Sequence, residues 1–265
     1  MQINSEFSFN YLNKEKAFCL GVIFGDGHVD NYKIVIYSSN KDEVLNNINN
    51  SLFYNKLKIF NDKRNNGTYI NLYKKTLCDE LRNIYKLNSN KSKTLIFPTN
   101  IDDRFMPFFI SGYLAADGSI SCFDCSKYNK GLHLRVCFTS CSNNFLIGLR
   151  DFINKKTKIY SKIYKQNRNK NYIYNLSYNY GKALIVCNYI FKNTNKYLRC
   201  KRKYDNYKIF VKNINNSKRK ILKLHNDGFS IIEIKKQVHK HESFIRNIIK
   251  GINIVDAYKR NLVDI

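Results

Sequence analysis

Asp26 closes the apolar stretch AFCLGVIFGDGHV (17–29), and Asp117, 91 residues later, closes FFISGYLAADGSI (108–120). Each stretch is about three helical turns long and ends in Asp-Gly. Each also carries small residues one turn apart, Gly21 and Gly25 in the first and Gly112 and Ala116 in the second. Residues four apart share a helix face, so small ones there let a second helix backbone approach closely. An Asp in the last turn sits at the negative end of the helix dipole, which disfavours it by ~0.3–1 kcal/mol. Two such helices packed in parallel would set two carboxylates side by side, an arrangement that needs a neutralising cation. Hard divalent ions take oxygen ligands, and Mg²⁺ at a phosphate site is the common case. A single apolar helix ending in Asp-Gly is usually just a core helix with a turn; the pair is what argues for chemistry.

The elements that must position these aspartates are duplicated along with them. IYSSNKDEVL (36–45) aligns with FTSCSNNFLI (138–147), and YINLY (69–73) with IYNLS (173–177), at offsets of 102 and 104 residues. The added offset falls around CFDCSKYNKG (122–131), which reads as a longer loop in the second copy. Each copy reads as helix, two strands, helix, two strands, helix. In the first these include a helix at 15–26, strand 33–37, helix 42–52, strands 56–60 and 68–73, and helix 76–87. The second supplies 132–138, 143–153, 158–164, 171–177 and 182–191. The expected class is α+β: two pseudo-symmetric αββαββα half-domains, 1–98 and 99–210, followed by a small all-α module at 215–255.

That module, SKRKILKLHNDGFSIIEIKKQVHKHESFIRNIIKG (217–251), has no strand pattern. It reads as a helix to about Asn226 and a turn at Gly228. A helix capped by Ser230 follows, with Glu233 at the capping-box spacing. After a turn at His239–His241 comes a last helix stopped by Gly251. Three short helices with a tight turn before the last form a helix-turn-helix outline, whose final helix would offer Glu242, Ser243, Arg246 and Asn247 to a DNA groove.

Composition narrows the partners. In 265 residues, 46 Lys+Arg stand against 20 Asp+Glu, a net charge of +26. A polyanion is the expected partner, nucleic acid before an acidic membrane surface. No apolar run approaches the ~18 residues a membrane span needs, and the polar start MQINSEFSFN does not read as a signal peptide. The eight cysteines read as reduced thiols of an intracellular protein, in bacterial or phage-infected cytoplasm or an organelle matrix. Cys122-x₂-Cys125 with Cys137-x₃-Cys141 has zinc-like spacing, yet Cys137 falls in a predicted core strand, which argues against a zinc site.

LGVIFGDG (20–27) and SGYLAADG (111–118) resemble the two LAGLIDADG motifs of single-chain homing endonucleases, over roughly residues 14–208. The resemblance implies that Asp26 and Asp117, with the backbone carbonyls of Gly25 and Ala116, hold Mg²⁺ (or Mn²⁺) beside the two scissile phosphates. Lys91 and Lys201 would assist from the segment after each half's third helix. It further implies a monomer that cuts both strands of double-stranded DNA across the minor groove, leaving 3′ overhangs, at a long asymmetric target. The sheets would enter the major groove. Lys33, Tyr37, Asn71 and Tyr73 are the expected contacts in the first half, and Arg135, Arg168, Lys170 and Asn175 in the second, with Ser243, Arg246 and Asn247 from the helical module. Other proteins of this type bind DNA as regulators without cutting, or act as RNA maturases; the intact Asp26 and Asp117 favour the nuclease.

Overall fold

In the computed structural model the described residues are 7–39, 43–62, 66–88, 91–125, 132–168 and 171–263, with side chains 168, 171 and 261–263 excluded. The first half runs α1 (Lys14–Asp26), β1 (Gly27–Val29), β2 (Lys33–Ser39), α2 (Val44–Phe53), β3 (Phe60–Asp62), β4 (Gly67–Tyr73) and α3 (Lys75–Asn83). A short α4 (Lys91–Thr94) leads into the second half. There α5 (Met106–Asp117), β5 (Gly118–Asp124), β6 (Leu132–Ser140), α6 (Asn143–Thr157), β7 (Ile163–Arg168), β8 (Asn171–Asn179) and α7 (Tyr180–Phe191) repeat the plan. The strands form two four-stranded sheets, ordered β1-β2-β4-β3 and β5-β6-β8-β7. The same permutation in both sheets is the structural counterpart of the sequence repeat, so the α+β class with two αββαββα copies holds.

Local sequence explains why each element begins and which face it hides. Asn13 caps α1 by accepting from the Lys16 amide at 2.8 Å, and Ser142 caps α6 by accepting from the Phe145 amide. Residues Ala17 to Phe24 of α1 and Phe108 to Ala115 of α5 are all buried, so neither helix has a solvent face. In β2 and β4 the alternation puts Ile34, Ile36, Ile70 and Leu72 at 0% exposure against the helices. Their register pairs Lys33 with Tyr73, Val35 with Asn71 and Tyr37 with Tyr69 on the opposite face. The expected strand at 56–60 is only the three-residue β3, whose pairing with β4 starts at Phe60.

The C-terminal region departs from the expected segmentation. A single helix, α8 (Lys201–Asn226), runs through 211–214, where a junction between half-domain and helical module was expected. Phe210, Ile214, Ile221 and Leu224 form a buried stripe at helical spacing that keeps the helix continuous. Beyond it α9 (Ile231–Val238) carries the anticipated capping box between Ser230 and Glu233. α10 (Glu242–Ile249) then buries Phe244, Ile245 and Ile248, and an unanticipated α11 (Ile254–Val263) follows. Gly181 lies so close to Tyr258 of α11 that an added Cβ would sit 2.4 Å from that ring.

The described chain forms two compact units that are not the two repeats. One comprises residues up to Ser119, Cys137–Ser177 and Tyr189–Lys203; the other comprises Ile120–Val136, Tyr178–Asn188 and the chain from Tyr204. Both glycine-bearing helices therefore belong to the same unit. A Cβ on Gly21 would lie 2.0 Å from the Phe109 carbonyl oxygen, and one on Gly112 would lie 2.0 Å from that of Phe18. Neither backbone can yield without breaking its own helix. Gly21→Ala and Gly112→Ala should each destabilise the fold by about 2–3 kcal/mol or more, read as a lower urea midpoint at unchanged slope. Gly228→Ala, with nothing within 4 Å but φ +87, should lose about 1 kcal/mol or more through backbone strain alone, without a collision.

Candidate active site at the paired helix ends

Helices α1 and α5 pack in parallel along their small residues. Gly21 meets Phe109 and Tyr113, and one turn on Gly25 meets Ala116 and Asp117. A Cβ at Gly25 would stand 2.4 Å from that of Ala116 and 3.5 Å from that of Asp117. Both helices therefore end at the same point, each on its aspartate. Gly27 and Gly118 follow at once because the chain folds back against the last turn: an added Cβ would lie 2.5 Å from the Ile23 oxygen or 2.9 Å from the Leu114 Cα.

Ending two helices together concentrates negative charge, from the last carbonyls as well as from the carboxylates. Two buried lysines answer it. Lys91 Nζ donates to the carbonyls of Phe24 and Gly25 at 2.6 and 2.8 Å. Lys203 Nζ donates to those of Leu114, Ala115 and Ala116 at 2.9, 2.5 and 3.3 Å. Burial pushes the Asp117 carboxyl up to about 6, and the charge of Asp26 adds to the rise while Lys91 and Lys203 oppose it. Burial brings the Lys91 ammonium down to about 8, partly countered by Asp117 and Asp26. Asp26, Asp117, Lys91 and Lys203 thus form one electrostatic cluster, with both aspartates half-buried at its open side.

The structure brings together Asp26, Asp117, Gly25, Ala116 and Lys91 as anticipated, but not Lys201. Two residues along a helix turn a side chain by about 200°, so Lys201 lies on the exposed face of α8 while Lys203 points into the cluster. The signal was present in the sequence: Lys203 lies seven residues before Phe210 and eleven before Ile214, on the apolar stripe of the helix. The groups at the cluster's open side are two carboxylates, oxygen donors that suit a hard divalent cation, while the carbonyls of Gly25 and Ala116 already accept from Lys91 and Lys203. Among the described residues no group of three or more His, Cys, Asp and Glu side chains gathers to hold a metal. Any ion here would complete its shell with water or a phosphate oxygen.

The expected DNA contacts divide by sheet. Lys33, Tyr37, Asn71 and Tyr73 share the face of the first sheet turned away from the core, with the Lys33 ammonium 5.6 Å from the centre of the Tyr73 ring. Phe60 and Tyr69 stack beside them at 5.2 Å. In the second sheet Asn175 accepts from Thr139 Oγ1 at 3.0 Å and donates to Gln166 at 3.3 Å, and Arg135 is exposed. Lys170 and the Arg168 side chain lie outside the described residues. On α10, Arg246 is exposed and bonded twice to Glu242, Ser243 Oγ lies 2.8 Å from His241 Nδ1, and Asn247 is partly exposed.

With this geometry in place, comparison with known proteins is informative. Residues 105–215 match the family model described as a LAGLIDADG-like domain. No curated protein sequence matches the chain. Among solved structures, the I-SmaMI LAGLIDADG homing endonuclease bound to cleaved DNA superposes with a TM-score of 0.50 at 14% identity, covering 92% of this chain and 97% of that one. The DNA-bound I-LtrWI LAGLIDADG homing endonuclease gives 0.47 at 12% identity, over 91% and 98%. Full-length DUF199/WhiA from Thermatoga maritima gives 0.47 at 13%, over 94% and 93%. The chain has the LAGLIDADG homing endonuclease fold. Its second half carries a LAGLIDADG-like domain, and Asp117 closes the motif helix of that domain.

Two stability measurements follow. Because the folded-state pKa of Asp117 is raised, its neutral form favours the native state. That contribution is complete below the ordinary value of 3.8 and is lost as pH rises through about 6. In chelator, the melting temperature should carry a fall between about pH 4 and 6 that Asp117→Asn removes, leaving the variant more stable than wild type at pH 7. Lys203→Met should cost about 1.5–3 kcal/mol in denaturant titration, because it strands three carbonyls that a charged donor now satisfies. Lys201→Met should stay within about 0.5 kcal/mol of wild type.

Proposed function

We propose that this chain is a site-specific endonuclease that cuts both strands of double-stranded DNA across the minor groove and leaves 3′ overhangs. The observation that carries the proposal is the single cluster at the helix ends: two aspartates on parallel helices, brought together against their own repulsion, each beside a buried lysine. Nothing in the packing demands carboxylates there, since asparagine would fill the same space without the electrostatic penalty. The I-SmaMI relative, seen bound to cleaved DNA, supports the same reading.

In this proposal Asp26 and Asp117, with the carbonyls of Gly25 and Ala116, hold Mg²⁺ or Mn²⁺. Such ions supply charge neutralisation at the scissile phosphate, a more acidic bound water and stabilisation of the leaving 3′ oxygen. The remaining work belongs to the chain. Lys91 and Lys203 tie down the last helical carbonyls, so that the carboxylates keep their positions when charge arrives. The polar faces of the two sheets, with Lys33, Tyr37, Asn71 and Tyr73 in one and Arg135 and Asn175 in the other, contact the major groove on either side of the cut. Ser243, Arg246 and Asn247 of α10 extend recognition at one end, which makes the target long and asymmetric. One polypeptide holds both aspartates, so it acts as a monomer. The net charge of +26 draws the duplex in and makes binding steeply salt-dependent.

The test is cleavage of a plasmid carrying the uninterrupted sequence that flanks this gene, with and without Mg²⁺. Wild type should linearise it only with the metal. Asp26→Asn and Asp117→Asn should slow double-strand cutting by roughly 10²–10³-fold or more while still retarding the DNA in gels. Tight binding by wild type with no cut in either Mg²⁺ or Mn²⁺ would refute the nuclease and favour a regulator or maturase.

A further inference from the structure

Helix α8 carries nine of the chain's lysines and arginines against a single acid, Asp205, so this one helix supplies eight of the 26 net positive charges. The charges are not spread evenly around it. Phe210, Ile214, Ile221 and Leu224 fix the buried side. At about 100° per residue, Lys208, Lys212, Arg219 and Lys223 all fall within about 40° of the direction opposite to it. All four stand clear of the buried core, and their Cα atoms span about 22 Å of a straight helix. Lys208 and Lys212, and Arg219 and Lys223, are like-charge pairs one turn apart, which weakens an isolated helix. Lys208 is paired with Asp205 at 2.9 Å, but Lys212, Arg219 and Lys223 meet no acidic side chain among the described residues.

We propose that the exposed face of α8 is a docking surface for the sugar-phosphate backbone of duplex DNA. A rigid row of cations matches a duplex, which carries about one negative charge per ~1.7 Å of its axis. Single strands are bound through exposed ring faces on which bases stack, and α8 offers none. Its ring nearest the row, Tyr204, packs on Tyr207 at 5.8 Å, and the Lys208 ammonium lies 5.4 Å from the Tyr204 ring centre. An acidic lipid surface does not fit either, because a membrane-surface helix must insert its apolar side, and here that side is buried in protein. Phosphate contacts of this kind position a protein on DNA without reading bases. They are additional to the sheet faces and α10.

The inference rests on the DNA-binding reading, and its test separates the two. In one variant Lys208, Lys212, Arg219 and Lys223 are all changed to Gln. A control removes the same charge at the exposed Lys56, Lys86, Lys155 and Lys192. Melting temperatures establish that both fold, and affinity for a random-sequence DNA duplex is measured across roughly 50–200 mM salt. The α8 variant should bind more weakly, with a salt slope shallower by up to about 0.9 for each phosphate that is no longer neutralised, while the control keeps the wild-type slope. At saturating target DNA the α8 variant should cut at the wild-type rate. Equal weakening in variant and control, or an unchanged slope in the α8 variant, overturns the inference. So does a slope that changes on an RNA hairpin but not on the DNA duplex. A wild type that binds no duplex overturns the DNA-binding reading as well, whereas a wild type that binds and cuts beside an indistinguishable α8 variant overturns this inference alone.

Discussion

Two helix backbones touch in this protein, and the rest of the site depends on that contact. Gly21 and Gly112 let the peptide groups of α1 and α5 meet where any side chain would collide with a carbonyl oxygen. Close parallel packing then dictates that both helices end together. Each must therefore resolve its unpaired carbonyls in the other's presence, and each aspartate faces its counterpart. The first strand of each sheet inherits its starting point too, since β1 leaves α1 and β5 leaves α5 through glycines pressed against the preceding turn.

What the packing creates, the electrostatics make uncomfortable. Burial and a neighbouring charge oppose ionisation of Asp117, and burial opposes the charge on Lys91. Each group is tolerable only because the others are present, and the carbonyls held by the lysines bind the cluster to the helix ends. Such a site sacrifices stability to hold two carboxylates and two ammoniums at one point.

The parts legible in the sequence were those with a local or an internal reference. The duplicated Asp-Gly helices could be read against each other, and Ser230 with Glu233 marks a helix start within four residues. Strand faces followed from simple alternation at Ile34, Ile36, Ile70 and Leu72. Features set by packing partners distant in sequence were harder to read. A lysine-rich stretch shows no composition change at the functional position, so Lys201 and Lys203 look alike until the turn of the helix distinguishes them. The continuity of α8 was hidden because charged residues surround its thin apolar stripe. β3 is short because pairing with β4, not its own residues 56–59, sets its start.

The asymmetry of the lysine supports has a consequence for how the molecule can change. Lys91 sits in a four-residue helix of a connecting segment, whereas Lys203 stands near the start of the 26-residue α8. A change in length before the first support need alter only a short connecting segment, although Leu95 and Phe97 just after it are buried and hold that segment to the core. Any insertion just beyond the second would rotate the whole downstream helix by about 100° per residue. The duplicated halves are therefore unequal as evolutionary material. One meets its support through a short connecting segment, while the other carries its support on a long helix and must diverge there in whole helical turns.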